Sequence, residues 1–290
     1  MSNPSLLIQE ICKNYAPSSE NNIWKELLFA MLPFSPHPLL ASPSNNVSAA
    51  AIWSYLRVWK ETFRKAKAQK GDRIIIALDP GPAWVIVFLS ALWEDLTIFL
   101  CDPLEIGHTR REDFFAVISS DPGSSTWTVD ENLEPQMVHH PNVTSSKNSN
   151  YRIQFSKNSD KFTFTDEKII SFLSRLNCQK KGEAVLSTLD FSSPIGFFYD
   201  FLHSFFLYRE IFFTQKNKEH EIERILSTFE IDHLVCDLEQ VEDYKKLKEK
   251  SKNNKPFVSF AAFAMNQDTK DLLLFLDRDF SFSQKRKSSI

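Results

Sequence analysis

Short apolar runs alternate with helix-length segments through most of the chain. "RIIIAL" (73–78) precedes "AWVIVFLSALW" (83–93), which precedes "LTIFLC" (96–101). The order recurs in "EAVLSTL" (183–189), "PIGFFYDFLHSFFLY" (194–208) and "EIFF" (210–213). It recurs again in "KEHEIERILSTFE" (218–230), "DHLVC" (232–236), "EQVEDYKKLKEKSK" (239–252) and "FVSFAAF" (257–263). An apolar run this short, bounded by turn formers, has the length of a strand, and unbroken apolarity means that both of its faces are buried. A strand, a helix and a second strand in succession place the two strands parallel, with a right-handed crossover between them. The alternation predicts an α/β fold of mostly parallel sheets covered by helices.

The remaining segments fill in that frame. "SAAAIWSYLRVWKETFRKAKAQK" from Ser48 predicts a long amphipathic helix, with Ile52, Leu56, Trp59 and Phe63 on one face and Gly71 in the C-cap position. "EDFFAVISS" (112–120) reads as a short helix, "TWTV" (126–129) as a strand and residues 130–150 as a polar, structureless connector. "YRIQF" (151–155) reads as a strand, "QFSKNSDKF" (154–162) as the loop that leaves it, and "DEKIISFLSRLN" (166–177) as a helix. The expected organisation is N-terminal helices and a Pro/Ser-rich connector over 1–47, a first α/β subdomain over 48–129 and a linker over 130–150. A second α/β subdomain over 151–280 and a basic tail over 281–290 complete it.

Charge and cysteine usage limit the partners. A net charge of -3 gives no basic excess of the kind that nucleic-acid binding requires. Cys12, Cys101, Cys178 and Cys236 are far apart and make no CxxC pair, which fits reduced thiols and a cytoplasmic protein. No signal peptide is read in "MSNPSLLIQEICKNY". Glu94 and Asp95 interrupt the longest apolar segment, and Asp200, His203, Arg209 and Glu210 punctuate the aromatic one, so no transmembrane segment is expected. His139–His140 in the connector, and His220 with His233 on either side of a helix, lack metal-site spacing. No G-x-S-x-G elbow, H-E-x-x-H helix or Walker A loop occurs.

At "GDRIIIALDPGPAWVIVFLSALWEDLTIFLCDPLE" (71–105) the order of elements becomes specific: a long helix, Gly-Asp-Arg, a buried strand, a proline-bearing turn, a helix, and a strand ending in Asp-Pro-Leu. This resembles the N-terminal part of the adenylate-forming superfamily, which includes acyl-CoA synthetases, luciferases and peptide-synthetase adenylation domains. Residues 165–236 follow the same superfamily's next helix, strand, substrate-lining turn, helix and strand. The resemblance implies a loop rich in Ser, Thr and Gly that holds the ATP phosphates and ends in Pro-Lys-Gly. The aligned residues here are Ser156, Lys157, Asn158, Ser159, Asp160 and Lys161, without one glycine. Ser156, Ser159 and Lys161 are the candidates for a degenerate phosphate loop, although the same composition suits an ordinary polar turn. The superfamily's Pro-x-x-His substrate turn corresponds to "LDFSSPIGF" (189–197), with Asp190 for the proline, Ser193 for the histidine and Gly196 kept. Ser193 and Gly196 are the candidates for a pocket wall. "SFAAFAM" (259–265) stands where a Gly-Gly-Ala segment would meet the base.

The departures govern the expected function. Six glycines in 290 residues are about 2%, against a usual 7%. The Tyr-Gly-x-Thr-Glu motif, the ribose-binding Asp and the C-terminal catalytic Lys that the resemblance implies have no counterpart in the sequence. The expectation is a truncated, degenerate AMP-binding-like protein without catalysis, acting as a binding or interaction module with a small carboxylic acid or a protein as partner. No catalytic residue, metal or cofactor is expected in that case. The alternative is an AMP-forming acyl-CoA or acyl-ACP ligase using ATP and Mg²⁺, alone or completed by a second chain. A purely structural role without a ligand is the third possibility.

Overall fold

The computed structural model describes residues 25–26, 28–29, 32, 38–42, 45–108, 111–142, 153–157, 160–175, 182–214, 218–250 and 259–263. In chain order the strands are β1 (Pro38–Ala41), β2 (Asn46–Ser48), β3 (Arg73–Ala77), β4 (Thr97–Leu100), β5 (Ala116–Ser119), β6 (Trp127–Val129) and β7 (Pro135–Met137). They continue as β8 (Ile153–Lys157), β9 (Asp160–Phe164), β10 (Gly182–Ser187), β11 (Tyr208–Phe213), β12 (His233–Asp237) and β13 (Ser259–Phe263). The helices are α1 (Ala49–Lys65), α2 (Pro82–Trp93), α3 (Asp166–Arg175), α4 (His203–Leu207), α5 (Glu219–Thr228) and α6 (Val241–Lys250). A π-helical segment, Gly196–Leu202, runs directly into α4.

Two mostly parallel sheets result, as the alternation predicts. The first has the order β7-β6-β5-β3-β4-β8-β9 and the second β13-β12-β10-β11-β1-β2. Among the described residues, antiparallel pairing is confined to the edges, at β6–β7, β8–β9 and β1–β2. Sheet membership crosses the connector. β8 and β9 lie beyond it and join the first sheet, while β1 and β2 lie ahead of it and join the second.

The unbroken apolarity of "RIIIAL" has its cause in the layers. Ile74 and Ile76 face a core that also holds Leu40, Val185, Ile211 and Val235 of the second sheet. Ile75 and Ala77 face the other way, onto Phe99, Phe114 and Val117. Helix α2 lies in the shared core and is buried on every side from Trp84 to Leu92. Helix α1 is amphipathic and buries Ala49, Ile52, Leu56, Trp59 and Phe63, and the Ser48 hydroxyl accepts the Ala51 N–H at 3.2 Å. The outer face of the second sheet, with Leu186, Phe212 and Leu234, is covered by Ile222, Ile225 and Leu226 of α5 and Tyr244 of α6.

Four segments differ from the sequence reading. Residues 116–119 are the strand β5, not part of a helix; β5 lies between β3 and β6 with all four residues buried, so it shows no alternation that would separate it from a short helix. The connector contains β7, and Leu133 is buried with its carbonyl accepting the Trp59 indole N–H at 3.2 Å, so its first part is anchored. Helix α1 ends at Lys65, well before Gly71. Lys67 takes the left-handed conformation at φ 64, its N–H bonds to Arg64 O at 2.9 Å and the Ala68 N–H to Phe63 O at 3.0 Å, which is the Schellman arrangement. Gly71 is also left-handed, at φ 87, but as part of the turn into β3. The fourth difference is the stretch "QFSKNSDKF", described with the site. No described helix is long and apolar enough to cross a membrane.

Candidate functional site

The two stretches singled out by the resemblance lie side by side. "QFSKNSDKF" is not an open loop. It is the tip of a hairpin in which Phe155 pairs with Phe162, Ser156 with Lys161 and Lys157 with Asp160. Only residues 158 and 159 remain between the strands, and both, Ser159 among them, lie outside the described residues. A phosphate cradle needs several consecutive backbone N–H groups turned toward one anion, usually at glycines. A ladder that runs to Lys157 and Asp160 commits the flanking backbone to the sheet.

The second stretch forms the exit of β10. Ser193 precedes Pro194, where the helical run begins. Its Oγ accepts the Gly196 N–H at 3.0 Å and donates to Asp190 O at 2.8 Å, and the Phe197 N–H reaches Ser193 O at 2.9 Å. A serine capping the third N–H with proline at the first helical position is a strong helix start. The Asp190 carboxylate accepts the Ser192 N–H at 2.8 Å and the Ser192 hydroxyl, which closes the turn on itself. Gly196 is required for a different reason. A Cβ there would lie 1.9 Å from the Asp190 carbonyl oxygen. Ser193 is buried, and its hydroxyl already serves the turn.

Aromatic side chains join the two stretches. Phe155 of β8 meets Phe197 with ring centroids 5.6 Å apart, and Phe164 of β9 meets Phe198 at 4.9 Å. On the other side Trp84 of α2 contacts Phe191 at 4.9 Å and Phe201 at 5.0 Å. Mostly edge-to-face contacts of this kind are each worth about 0.5–1.5 kcal/mol beyond the area they bury.

In the sequence Asp200 is only a charge that speaks against a membrane span. The structure buries it completely, in the π-helical segment beside the ends of β10 and β12. The Leu189 N–H donates to its Oδ2 at 3.0 Å. Burial drives its pKa from 3.8 up to about 8, against weaker opposing hydrogen bonds from Ser187, Leu189, Thr188 and Ser204. Cys236 of β12 is also buried, and its thiol is pushed up to about 12 by burial, with Asp200 and Asp237 adding to the effect. Such a thiol stays protonated and unreactive at neutral pH. The signal in the sequence was one carboxylate at a core position of an otherwise aromatic helix, "GFFYDFL". Among the described residues no group of His, Cys, Asp and Glu has the arrangement of a metal site.

No protein-family model and no curated protein matches the chain by sequence. Solved structures do match by fold. A four-domain nonribosomal peptide synthetase bound to AMP and glycine aligns with 89% of this chain and 20% of its own, at 12% identity and a TM-score of 0.61. The inhibitor-bound N-terminal domain of FACL13 from Mycobacterium tuberculosis aligns with 82% of this chain and 67% of its own, at 12% identity and a TM-score of 0.58. The fold is that of the N-terminal region of adenylate-forming enzymes. A third example is o-succinylbenzoate CoA synthetase from Bacillus subtilis, matched over 76% of this chain and 50% of its own, at 9% identity and a TM-score of 0.55. The chain therefore spans half the length of that synthetase. The adenylate-forming fold is common to these proteins, and identities near one in ten carry the architecture without the chemistry.

Proposed function

We propose that this chain is a catalytically silent member of the adenylate-forming fold that works as a binding or interaction module. The observation that carries the reading is the β8–β9 hairpin. Its strands pair to Lys157 and Asp160 and leave two residues where a nucleotide-binding loop would need a glycine-bearing cradle. Asp160 adds a negative charge to the stretch that the resemblance aligns with a phosphate loop. The preserved core around α2 supports a scaffold that still folds. The ligand class in view is a small carboxylic acid at the turn that carries Ser193 and Gly196, or else a protein partner; neither ATP nor Mg²⁺ is required.

A second reading rests on the fold likeness to acyl-CoA synthetases: an AMP-forming ligase, alone or completed by another chain. Calorimetric titration with ATP and Mg²⁺, and then with medium- and long-chain fatty acids, separates the two. The silent-module reading expects no heat with ATP. ATP binding in the micromolar range would sink it and favour the ligase. Heat with an acid alone would assign the ligand class, and silence with both would leave a protein partner.

A further inference from the structure

Residues 57–70, the second half of α1 and the turn behind it, hold six cations and one anion in a chain whose net charge is -3. Burial of Ile52, Leu56, Trp59 and Phe63 turns the opposite face of α1 to solvent. Residues seven apart return to nearly the same side of a helix. Arg57 and Arg64 therefore share one exposed stripe, and Val58 and Lys65 share the next. Lys67 and Lys70 carry the exposed charge on beyond the end of the helix.

The neighbouring acids are already engaged. Asp95 pairs with Lys25 at 2.9 Å, and Glu94 lies 3.7 Å from Lys60 and 3.9 Å from Arg64. Glu61 lies 3.8 Å from Arg64, and the buried Asp72 accepts the Gln69 N–H at 2.8 Å. Among the described residues Arg57, Lys65, Lys67 and Lys70 have no ion-pair partner. The helix dipole accounts for cations in the last turn, Arg64 and Lys65. It accounts neither for Arg57, two turns earlier, nor for Lys70, beyond the helix.

We propose that this face of α1 docks peripherally on an anionic lipid surface. A protein interface buries roughly 1,200–2,000 Å² around an apolar or aromatic centre. Among the described residues Val58 is the one large apolar side chain exposed on α1, so the face offers no such centre. A leaflet of anionic headgroups does not need one, because it holds a basic segment by summed charge, about fivefold in affinity per cation. The apolar face of α1 is committed to the core, so the contact is made at headgroup level without insertion.

The test is co-sedimentation of the full chain with vesicles of phosphatidylcholine, alone or mixed with phosphatidylserine. Neither ATP nor a fatty acid enters it, so it stands or falls apart from the proposed function. Binding should appear with the mixed vesicles only and weaken as added salt shortens the screening length. Lys65→Gln with Lys70→Gln should lower the partition coefficient about 25-fold, at about fivefold per cation. Lys245→Gln with Lys246→Gln takes the same charge from α6, where both lysines are paired with Glu242 and Asp243. That pair should change the partition coefficient by less than about twofold. Equal losses in the two double variants would reduce the effect to net charge and overturn the proposal. Equal binding to neutral vesicles, or binding to neither kind, would overturn it as well. Retention on immobilised polyglutamate without vesicle binding would overturn it in favour of an acidic polypeptide.

Discussion

At Gly196 a methyl group would meet the Asp190 carbonyl oxygen at 1.9 Å, and the obstacle is backbone, which cannot swing aside as a side chain can. Gly196→Ala should therefore destabilise the fold by roughly 3 kcal/mol, in the range of severe overpacking, read as a lower urea midpoint. A loss below about 0.5 kcal/mol would mean that the turn rebuilds freely. The sequence reading found Ser193 and Gly196 by position, as a pocket wall. Their visible work is to start a helix and to admit a carbonyl, and neither role can be told from the other without the turn's hydrogen bonds. Asp200 was harder to see. A carboxylate among phenylalanines signals either an exposed edge or a buried polar centre, and only the packing of β10 and β12 around it decides.

Among elements, α1 carries a correctable fault. Its C-terminal turn places Lys67 in the left-handed region at φ 64, where a side chain costs about 1 kcal/mol that glycine avoids. Lys67→Gly should raise stability by about 0.5–1 kcal/mol, measured by thermal or urea unfolding. A neutral or destabilising result would place the value of the lysine in its side chain. The helices were legible because their apolar faces repeat at helical spacing, as Ile52, Leu56, Trp59 and Phe63 do in α1. β5 was not, because a strand buried on both faces carries no period. The β8–β9 hairpin was hidden for another reason. "SKNSDK" is polar on both sides of its turn, and its pairing is set by sheet neighbours far away in sequence, with β8 beside β4.

For the whole molecule, the question is whether two sheets make two folding units. The expected division into subdomains rests on the polar stretch 130–150, yet β8 and β9 cross to the first sheet and β1 and β2 to the second. One core contains Ile74 and Ile98 from the first sheet with Val185 and Ile211 from the second, and α2 lies within it. Trp84 is the test point, since it stacks on Phe88 of its own helix at 5.0 Å and touches Phe191 and Phe201 at the exit of the other sheet. Trp84→Ala should cost about 3–5 kcal/mol. If the shared core couples the sheets, amide exchange should quicken by similar factors in β3 and in β10, because both open only with the core. Protection lost in β10 alone would mean that the first sheet stands by itself and that α2 belongs to it. In that case the turn at Ser193 and the Asp200 centre would lie on the less stable half, where a bound ligand or partner has most to gain by stabilising the folded state.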